Sequence, residues 1–171
     1  MKTSFSSPEA DAVFGGLRPK PSGVCTTEAS VFLHETPTLD LSIVVPCYNE
    51  QESLPIFLKE LDGVVRTMTQ QDPGISFEAV LIDDGSADKT LAVMKAEAAA
   101  AHPYAIRWHS FSRNFGKEAA LLAGLQHAKG DYVATMDADM QDPPSLLPQM
   151  YEILQTENYD NVATRRTTRE G

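Results

Sequence analysis

Tyr132-Val133-Ala134-Thr135-Met136-Asp137-Ala138-Asp139-Met140-Gln141-Asp142-Pro143-Pro144 is the stretch on which the reading of this chain turns. Tyr132 to Met136 is a short apolar run of the kind that forms a buried strand. It ends on two carboxylates spaced i, i+2, then a carboxamide and a third carboxylate. Two prolines stop the strand and open a helix. Oxygen donors at a strand's C-terminal end suit a hard divalent cation, Mg²⁺ or Mn²⁺. The expectation is a metal–diphosphate site. A calcium loop starting at Asp137 needs Gly at its sixth position and Glu at its twelfth. Asp142 and Pro148 stand there and exclude it. A phosphatase-type nucleophile pair wants Thr or Val two places later, and Gln141 fits that poorly.

Working outward, Leu41-Ser42-Ile43-Val44-Val45-Pro46 is a β-branched run closed by a proline, which predicts a buried first strand. After the Cys47-Tyr48-Asn49-Glu50 loop, Ser53 serves as N-cap and Pro55 sits just inside a helix. Leu54, Phe57, Leu58, Leu61, Val64, Val65 and Met68 give that helix an apolar stripe, and Gln71-Asp72-Pro73-Gly74 ends it. Phe77 to Ile82 is a second strand, running into Asp83-Asp84-Gly85-Ser86. Ser86 or Asp88 can cap the alanine-rich helix that follows to about Ala101. Ile106 to Phe111 is a third strand, with Trp108 expected in the core. Ser112 to Lys117 is a loop, and Glu118 to Ala128 a helix. Gly130-Asp131 turns into the opening strand. Pro144 starts a further helix carrying Leu146, Leu147, Met150, Ile153 and Leu154. Asn161-Val162-Ala163-Thr164 reads as a last short strand, before Arg165, Arg166 and Arg169.

Alternating strands and helices predict an α/β fold, a mostly parallel Rossmann-like sheet with helices on both faces. Ligands on such sheets bind beyond the carboxyl ends of the strands. Tyr48/Glu50, Asp83/Asp84, Arg113/Asn114/Lys117 and Asp137/Asp139/Gln141 all fall at those ends.

A chain of 171 residues allows one domain with a real core. Its net charge of −10, without a basic block, argues against nucleic acid as a partner. Two cysteines, Cys25 and Cys47, are too few for a disulfide framework, and a reducing compartment is the default. Residues 1–38, interrupted by Pro8, Pro19, Pro21 and Pro37, read as an irregular or disordered leader to an ordered part at 39–171. The leader lacks a signal peptide's apolar core, and no run approaches the ~20 apolar residues of a membrane helix. The chain as given is therefore expected to be cytoplasmic. His34, His102, His109 and His127 show no ligand spacing.

Asp83-Asp84 either caps a turn or accepts hydrogen bonds from a uracil or guanine N–H or a ribose hydroxyl. The acidic pair of a phospho-receiver domain is excluded, because that pair follows the first strand. Arg113 and Lys117 flank Gly116 at a helix start. That is either a solvated loop or a phosphate site built from amide donors and two cations. Arg165, Arg166 and Arg169 are a charged tail, or they neutralise a diphosphate leaving group or a phosphate acceptor.

Four ordered motifs carry a resemblance. They are Val45-Pro46-Cys47-Tyr48-Asn49-Glu50, Ile82-Asp83-Asp84-Gly85-Ser86-Ala87-Asp88-Lys89-Thr90, Phe111-Ser112-Arg113-Asn114-Phe115-Gly116-Lys117-Glu118-Ala119-Ala120 and Met136 to Pro144. Together, from about Leu41 to Arg169, they resemble family 2 glycosyltransferases. The last two are similar to the polyprenyl-phosphate branch: bactoprenol glucosyltransferases, undecaprenyl-phosphate aminoarabinose transferases and dolichol-phosphate mannose synthases. The resemblance implies a GT-A fold that binds a nucleotide-sugar through Mg²⁺ or Mn²⁺. It implies a nucleoside pocket lined by Pro46, Tyr48, Glu50 and Asp83, with Asp84 and Lys117 among the nucleotide-binding residues. It assigns Asp137, Asp139 and Gln141 to the metal and diphosphate, and gives Asp139 and Arg166 catalytic roles at the leaving group. The implied donor is a UDP-sugar rather than GDP-mannose. The implied acceptor, for a full-length relative, is a polyprenyl phosphate at the cytoplasmic face of the membrane; a homo-oligomer is compatible with this. Relatives continue past the position of Gly171 with an acceptor segment, interface helices and usually membrane spans. The expectation is thus a truncated chain, with a non-catalytic nucleotide-sugar-binding fragment as the alternative to an active transferase.

Overall fold

The run that begins at Leu41 forms β1 (Leu41–Cys47), and the Phe77 run forms β2 (Phe77–Asp83). Both are buried on both faces, as central strands of a parallel sheet must be. The computed structural model describes residues 39–141, 143–157 and 159–164. The expected leader at 1–38, Asp142, Arg165, Arg166 and Arg169 lie outside the described residues.

Between the strands run α1 (Ser53–Gln71), α2 (Thr90–Ala99) and α3 (Lys117–His127), and β3 (Ala105–Ser110) and β4 (Tyr132–Thr135) are the other two strands of the sheet among the described residues. A 3₁₀ turn at Pro144–Leu146 leads into α4 (Leu147–Thr156). The four strands lie in the order β3-β2-β1-β4, and every pairing is parallel. The chain lays down β1, β2 and β3 in one direction, then returns to place β4 on the other side of β1. The reversal opens a crevice between the carboxyl ends of β1 and β4, where such sheets bind ligands.

Strand alternation divides the core in two. Ile43, Val45, Ala79 and Leu81 face α1, α2 and α4, meeting Leu54, Phe57, Leu58, Leu61, Met94 and Leu147. Each of the larger fully buried side chains among these contributes roughly 1.5–3 kcal/mol. Val44, Val80 and Ile82 face the opposite way, onto α3 at Ala120. α3 comes so close that a Cβ on Gly124 would sit 2.2 Å from Val44 Cγ1. His102 joins α1 to α2, with Nδ1 2.8 Å from Asp62 Oδ1 and Nε2 3.1 Å from Glu97 Oε2.

At the amino end of the sheet a buried polar cluster fixes the turn into β4. Ser42 Oγ donates to Glu78 Oε1 at 2.7 Å and accepts from Gly130 N–H at 2.8 Å. Glu78 also accepts from Lys129 N–H and takes both the Nε and Nη2 of Arg107, at 2.8 and 2.9 Å. Arg107 Nη2 donates in turn to the carbonyl of His127 at the end of α3.

Several local expectations give way. Ser53 is the first helical residue rather than the cap, and its hydroxyl reaches back to the carbonyl and carboxylate of Glu50. α2 starts at Thr90; Asp88 accepts from the Thr90 N–H at 2.9 Å, whereas Ser86 serves the neighbouring loop. Trp108 is not core. It lies on edge strand β3, 37% exposed, with the Lys95 ammonium 5.0 Å from its ring. Asn161 to Thr164 form no strand, although Val162 is buried.

Two predictions follow from this packing. Ala normally favours a helix interior over Gly by about 1 kcal/mol. At Gly124 the overlap with fully buried Val44 outweighs that, because overpacking costs about 1–3 kcal/mol. Gly124→Ala is expected to lower the unfolding free energy by about 1–2 kcal/mol in urea titration; an increase would show that α3 is free to lift. The second concerns His109, which stacks on His127 at 3.8 Å with its Nε2 buried and unpartnered among the described residues. Burial, then His127 and Arg107, hold its pKa below the ordinary 6.5. The unfolded chain takes up a proton that the folded state resists. Stability present above the unfolded value is therefore lost as pH falls toward and through the depressed folded value. His109→Gln should gain on wild type in urea midpoint as pH drops from about 7.5 to 5. Parallel profiles would assign the acid sensitivity elsewhere.

Candidate functional site

Beyond the carboxyl ends of β1, β2 and β4 the chain has no ladder left to extend, and its polar residues organise the loops instead. The loop after β1 and the loop after β2 clasp each other. Asn49 N–H donates to Ser86 Oγ at 3.0 Å, and Ala87 N–H returns to Asn49 Oδ1 at 2.9 Å. Glu50 N–H donates to Thr90 Oγ1 at 2.8 Å, and Lys89 N–H to Gln51 Oε1 at 3.1 Å. Asn49 holds a left-handed φ of 56°, which an Asn tolerates. The clasp presents Tyr48, 48% exposed, at the mouth of a cleft.

That cleft has a volume of about 250 Å³ and opens at the switch point of the sheet. Pro46, Tyr48 and Glu50 come to it from β1, Asp84 from β2, Lys117 from α3, and Asp137 and Asp139 from β4. With Asn114 from the loop before α3, eight of the residues singled out from the sequence thus share one cavity among the described residues. Asp83 sits behind the lining, 2% exposed, where its carboxylate accepts from Ser86 N–H at 3.0 Å and Ser110 Oγ at 2.7 Å. Gln141 is exposed past the turn, and its N–H donates to Asp139 Oδ1 at 2.9 Å. Arg166 lies outside the described residues. Cys47, Gly116 and Ala120 also line the cleft. Their small size leaves space, a role that carries no polar signature in a sequence.

Lys117 Nζ lies 2.5 Å from Asp137 Oδ2. Among the described residues the lining nonetheless carries four carboxylates, Glu50, Asp84, Asp137 and Asp139, against the one ammonium of Lys117. A bare diphosphate would be repelled by that wall, and a divalent cation between them removes the conflict. Among the described residues no three His, Cys, Asp or Glu side chains are grouped to hold a metal. Mg²⁺ characteristically takes one or two protein carboxylates and leaves its other positions to phosphate and water. Asp137 and Asp139 fit that partial donor set; they do not form a protein cage.

Comparisons with known proteins agree with this architecture. The family profile described as Glycosyl transferase family 2 matches residues 42–171. The undecaprenyl-phosphate 4-deoxy-4-formamido-L-arabinose transferase of Klebsiella pneumoniae (strain 342) is 39% identical over 136 residues, covering 78% of this chain and 39% of that protein. The protein of the same name from Sodalis glossinidius (strain morsitans) is 41% identical over 132 residues, covering 76% and 38%. The chain therefore spans about two fifths of the length of these curated relatives. The crystal structure of S. aureus TarS 1-349 superposes with a TM-score of 0.55 at 22% identity, over 68% of this chain and 32% of that one. It is a likeness of fold, and the fold is of GT-A type.

Cys47 offers a check on how closed the floor of the cleft is. Its thiol is 1% exposed, and burial, then the charges of Glu50, Asp83 and Asp137, push its pKa far above the usual thiol range. Because the thiolate is the reactive form, Cys47 should resist iodoacetamide in the native protein and react once urea unfolds it. Peptide mapping by mass spectrometry reads this, and rapid native alkylation of Cys47 would show an open floor.

Proposed function

The chain belongs to glycosyl transferase family 2, and from that premise we propose that it moves a sugar from a nucleotide-sugar to a polyprenyl phosphate. The observation that carries the proposal is the convergence of four strand-end motifs on one acidic cleft at the switch point of the sheet. The relatives' names supply the acceptor class, undecaprenyl phosphate. A UDP-sugar is the donor we favour, and the reaction belongs at the cytoplasmic face of the membrane that carries the acceptor. No described helix is long and apolar enough to cross a membrane.

In this reading Tyr48, Pro46 and Glu50 hold the nucleoside at the β1 side of the cleft. Asp83, behind the lining, braces the end of β2 through Ser86 and Ser110, and Asp84, which lines the cleft, offers its remaining lone pairs to the base or ribose, since a carboxylate has about four acceptor sites. Lys117, at the first turn of α3, meets the diphosphate with the positive end of the helix behind it. Asp137, Asp139 and Gln141 would hold Mg²⁺ or Mn²⁺. When bound, that ion offsets the charge that develops on the departing diphosphate. Arg166 acts at the same leaving group. A lipid phosphate is largely ionised near neutral pH, with a second pKa of ~6 for an alkyl phosphate, and needs little help from a general base. The mechanism is a single inverting displacement, in which the acceptor oxygen bonds to the anomeric carbon as the nucleoside diphosphate leaves with the electron pair.

Calorimetric titration with UDP, UDP-glucose and GDP-mannose, with and without Mn²⁺, tests the reading. The expected result is Mn²⁺-dependent binding, tighter for the uracil nucleotides. Absence of metal-dependent binding to all three would remove the donor site. Binding without transfer to undecaprenyl phosphate would select a nucleotide-sugar-binding role over catalysis. Asp139→Asn should weaken the Mn²⁺-dependent affinity by at least ~10-fold; unchanged affinity would take Asp139 out of the site.

A further inference from the structure

Among the described residues each of the four carboxylates of the cleft has a partner, and one partner differs in kind from the rest. Glu50 accepts from the Ser53 hydroxyl. Asp84 accepts from the Phe115 N–H at 2.7 Å and from the Gly116 N–H at 2.9 Å. Asp139 Oδ1 accepts from the Gln141 N–H at 2.9 Å. These donors are neutral and leave the charge of each carboxylate standing. Asp137 Oδ2 instead accepts from the Lys117 ammonium at 2.5 Å, a contact that joins α3 to the end of β4. Both side chains stay partly open to solvent, 57% for Lys117 and 33% for Asp137, so the pair is weak in free-energy terms. Arg113, on the same loop, is engaged elsewhere: its guanidinium lies 4.5 Å from the Phe115 ring.

We propose that Lys117 exchanges partners: its ammonium holds Asp137, and passes to the diphosphate when that carboxylate is given over to a divalent cation, so that cation and nucleotide strengthen each other's binding through Lys117. This rests on the donor-site reading given above. An ammonium and a divalent cation on one carboxylate bring three positive charges within a few ångströms, where their repulsion is strong. A lysine is a compact charge on a flexible four-carbon stem, and it can leave without moving the backbone. Its next acceptor is close at hand. Lys117 is the first residue of α3, where free backbone N–H groups draw phosphate oxygens. Opening the pair opposes the cation alone and the nucleotide alone, but it opposes the two together only once. That shared step is a positive coupling, and it is reciprocal. A lysine that served the diphosphate from a fixed place would repel the cation equally with and without nucleotide, and would add no coupling.

Lys117→Met removes the ammonium and keeps an unbranched stem. By calorimetry at low ionic strength, Mn²⁺ without nucleotide should bind this variant about twofold to fivefold more tightly than the wild type, while UDP in Mn²⁺ binds it more weakly. The factor by which Mn²⁺ tightens UDP binding should shrink by that same twofold to fivefold. In the wild type, Mg²⁺ without nucleotide should shift the NMR signals of the Lys117 ε-methylene. Unchanged Mn²⁺ affinity in Lys117→Met, or a tighter affinity with an undiminished coupling factor, would overturn the exchange and leave Lys117 a fixed phosphate ligand. Should the variant not fold, the wild type still decides: ε-methylene signals that Mg²⁺ leaves unmoved overturn the exchange. A wild type that binds UDP no better with Mn²⁺ than without it defeats the donor-site reading itself, a result distinct from a wild-type coupling that survives the Met substitution intact.

Discussion

The face of β2 that looks toward α3 reads Glu78, Val80, Ile82, Asp84, two carboxylates with two aliphatics between them. That face holds α3 at both ends. Asp84 takes the amides at its start, and Glu78 takes the turn at its finish, directly at Lys129 and through Arg107 at His127. The lengths match: six strand steps span about 20 Å, and an eleven-residue helix about 17 Å. α3 needs such anchors because its own pattern does not orient it. Ala120, Leu121, Leu122, Ala123 and Leu125 encircle the helix, and Leu122 and Leu125 stay exposed. Hydrophobic burial alone would accept several rotations of such a helix. The end clamps and the close approach at Gly124 select one, and Lys117 reaches the cleft as a result.

The loops at the carboxyl end of the sheet follow the same logic with other partners. Parallel strands end with unspent backbone donors, and here neighbouring loops satisfy them side chain by side chain. The Asn49–Ser86, Ala87–Asn49 and Glu50–Thr90 bonds join positions 37 to 40 residues apart and exchange donors in both directions across two loops. A clasp of this kind ties Tyr48 and Glu50 to the end of β2, so that β1 and β2 present their polar residues as one wall. The wall opposite, on β4, is joined to it through Lys117 and Asp137.

Much of this was legible in the sequence, and the reason is burial. β1 and β2 are covered on both faces, so their residues form uninterrupted apolar runs, and α1 has one buried face, so its stripe shows. The strand-end position of the site followed from the alternation of elements. What escaped was set by contacts distant in the chain. Ser42, Glu78 and Arg107 look like solvated residues in isolation, and only the sheet register brings them together. Trp108 was expected inside because large aromatics usually bury, but it sits on the outermost described strand at the margin of the face that α2 covers, where Lys95 of α2 lies over its ring and the indole stays partly exposed. Asn161 to Thr164 carries strand-like residues without forming a ladder. Asp84 was legible as a polar residue at a strand end, but which partner it serves is a property of the loop above it.

The opening motif shows the same limit at closer range. Two carboxylates at i, i+2 share a face only while the strand continues. β4 stops at Thr135, although the Met136 N–H still reaches the Val44 carbonyl. After it the chain turns through Met140 at φ +62°, and the Gln141 N–H closes that turn onto Asp139. Asp137 is therefore placed by the end of the ladder and by Lys117, whereas Asp139 is placed by a turn of its own making. The two carboxylates have separate supports, one rigid and one local. A shared cation would couple them, and the sheet end would then be held together by its ligand where the backbone no longer does so.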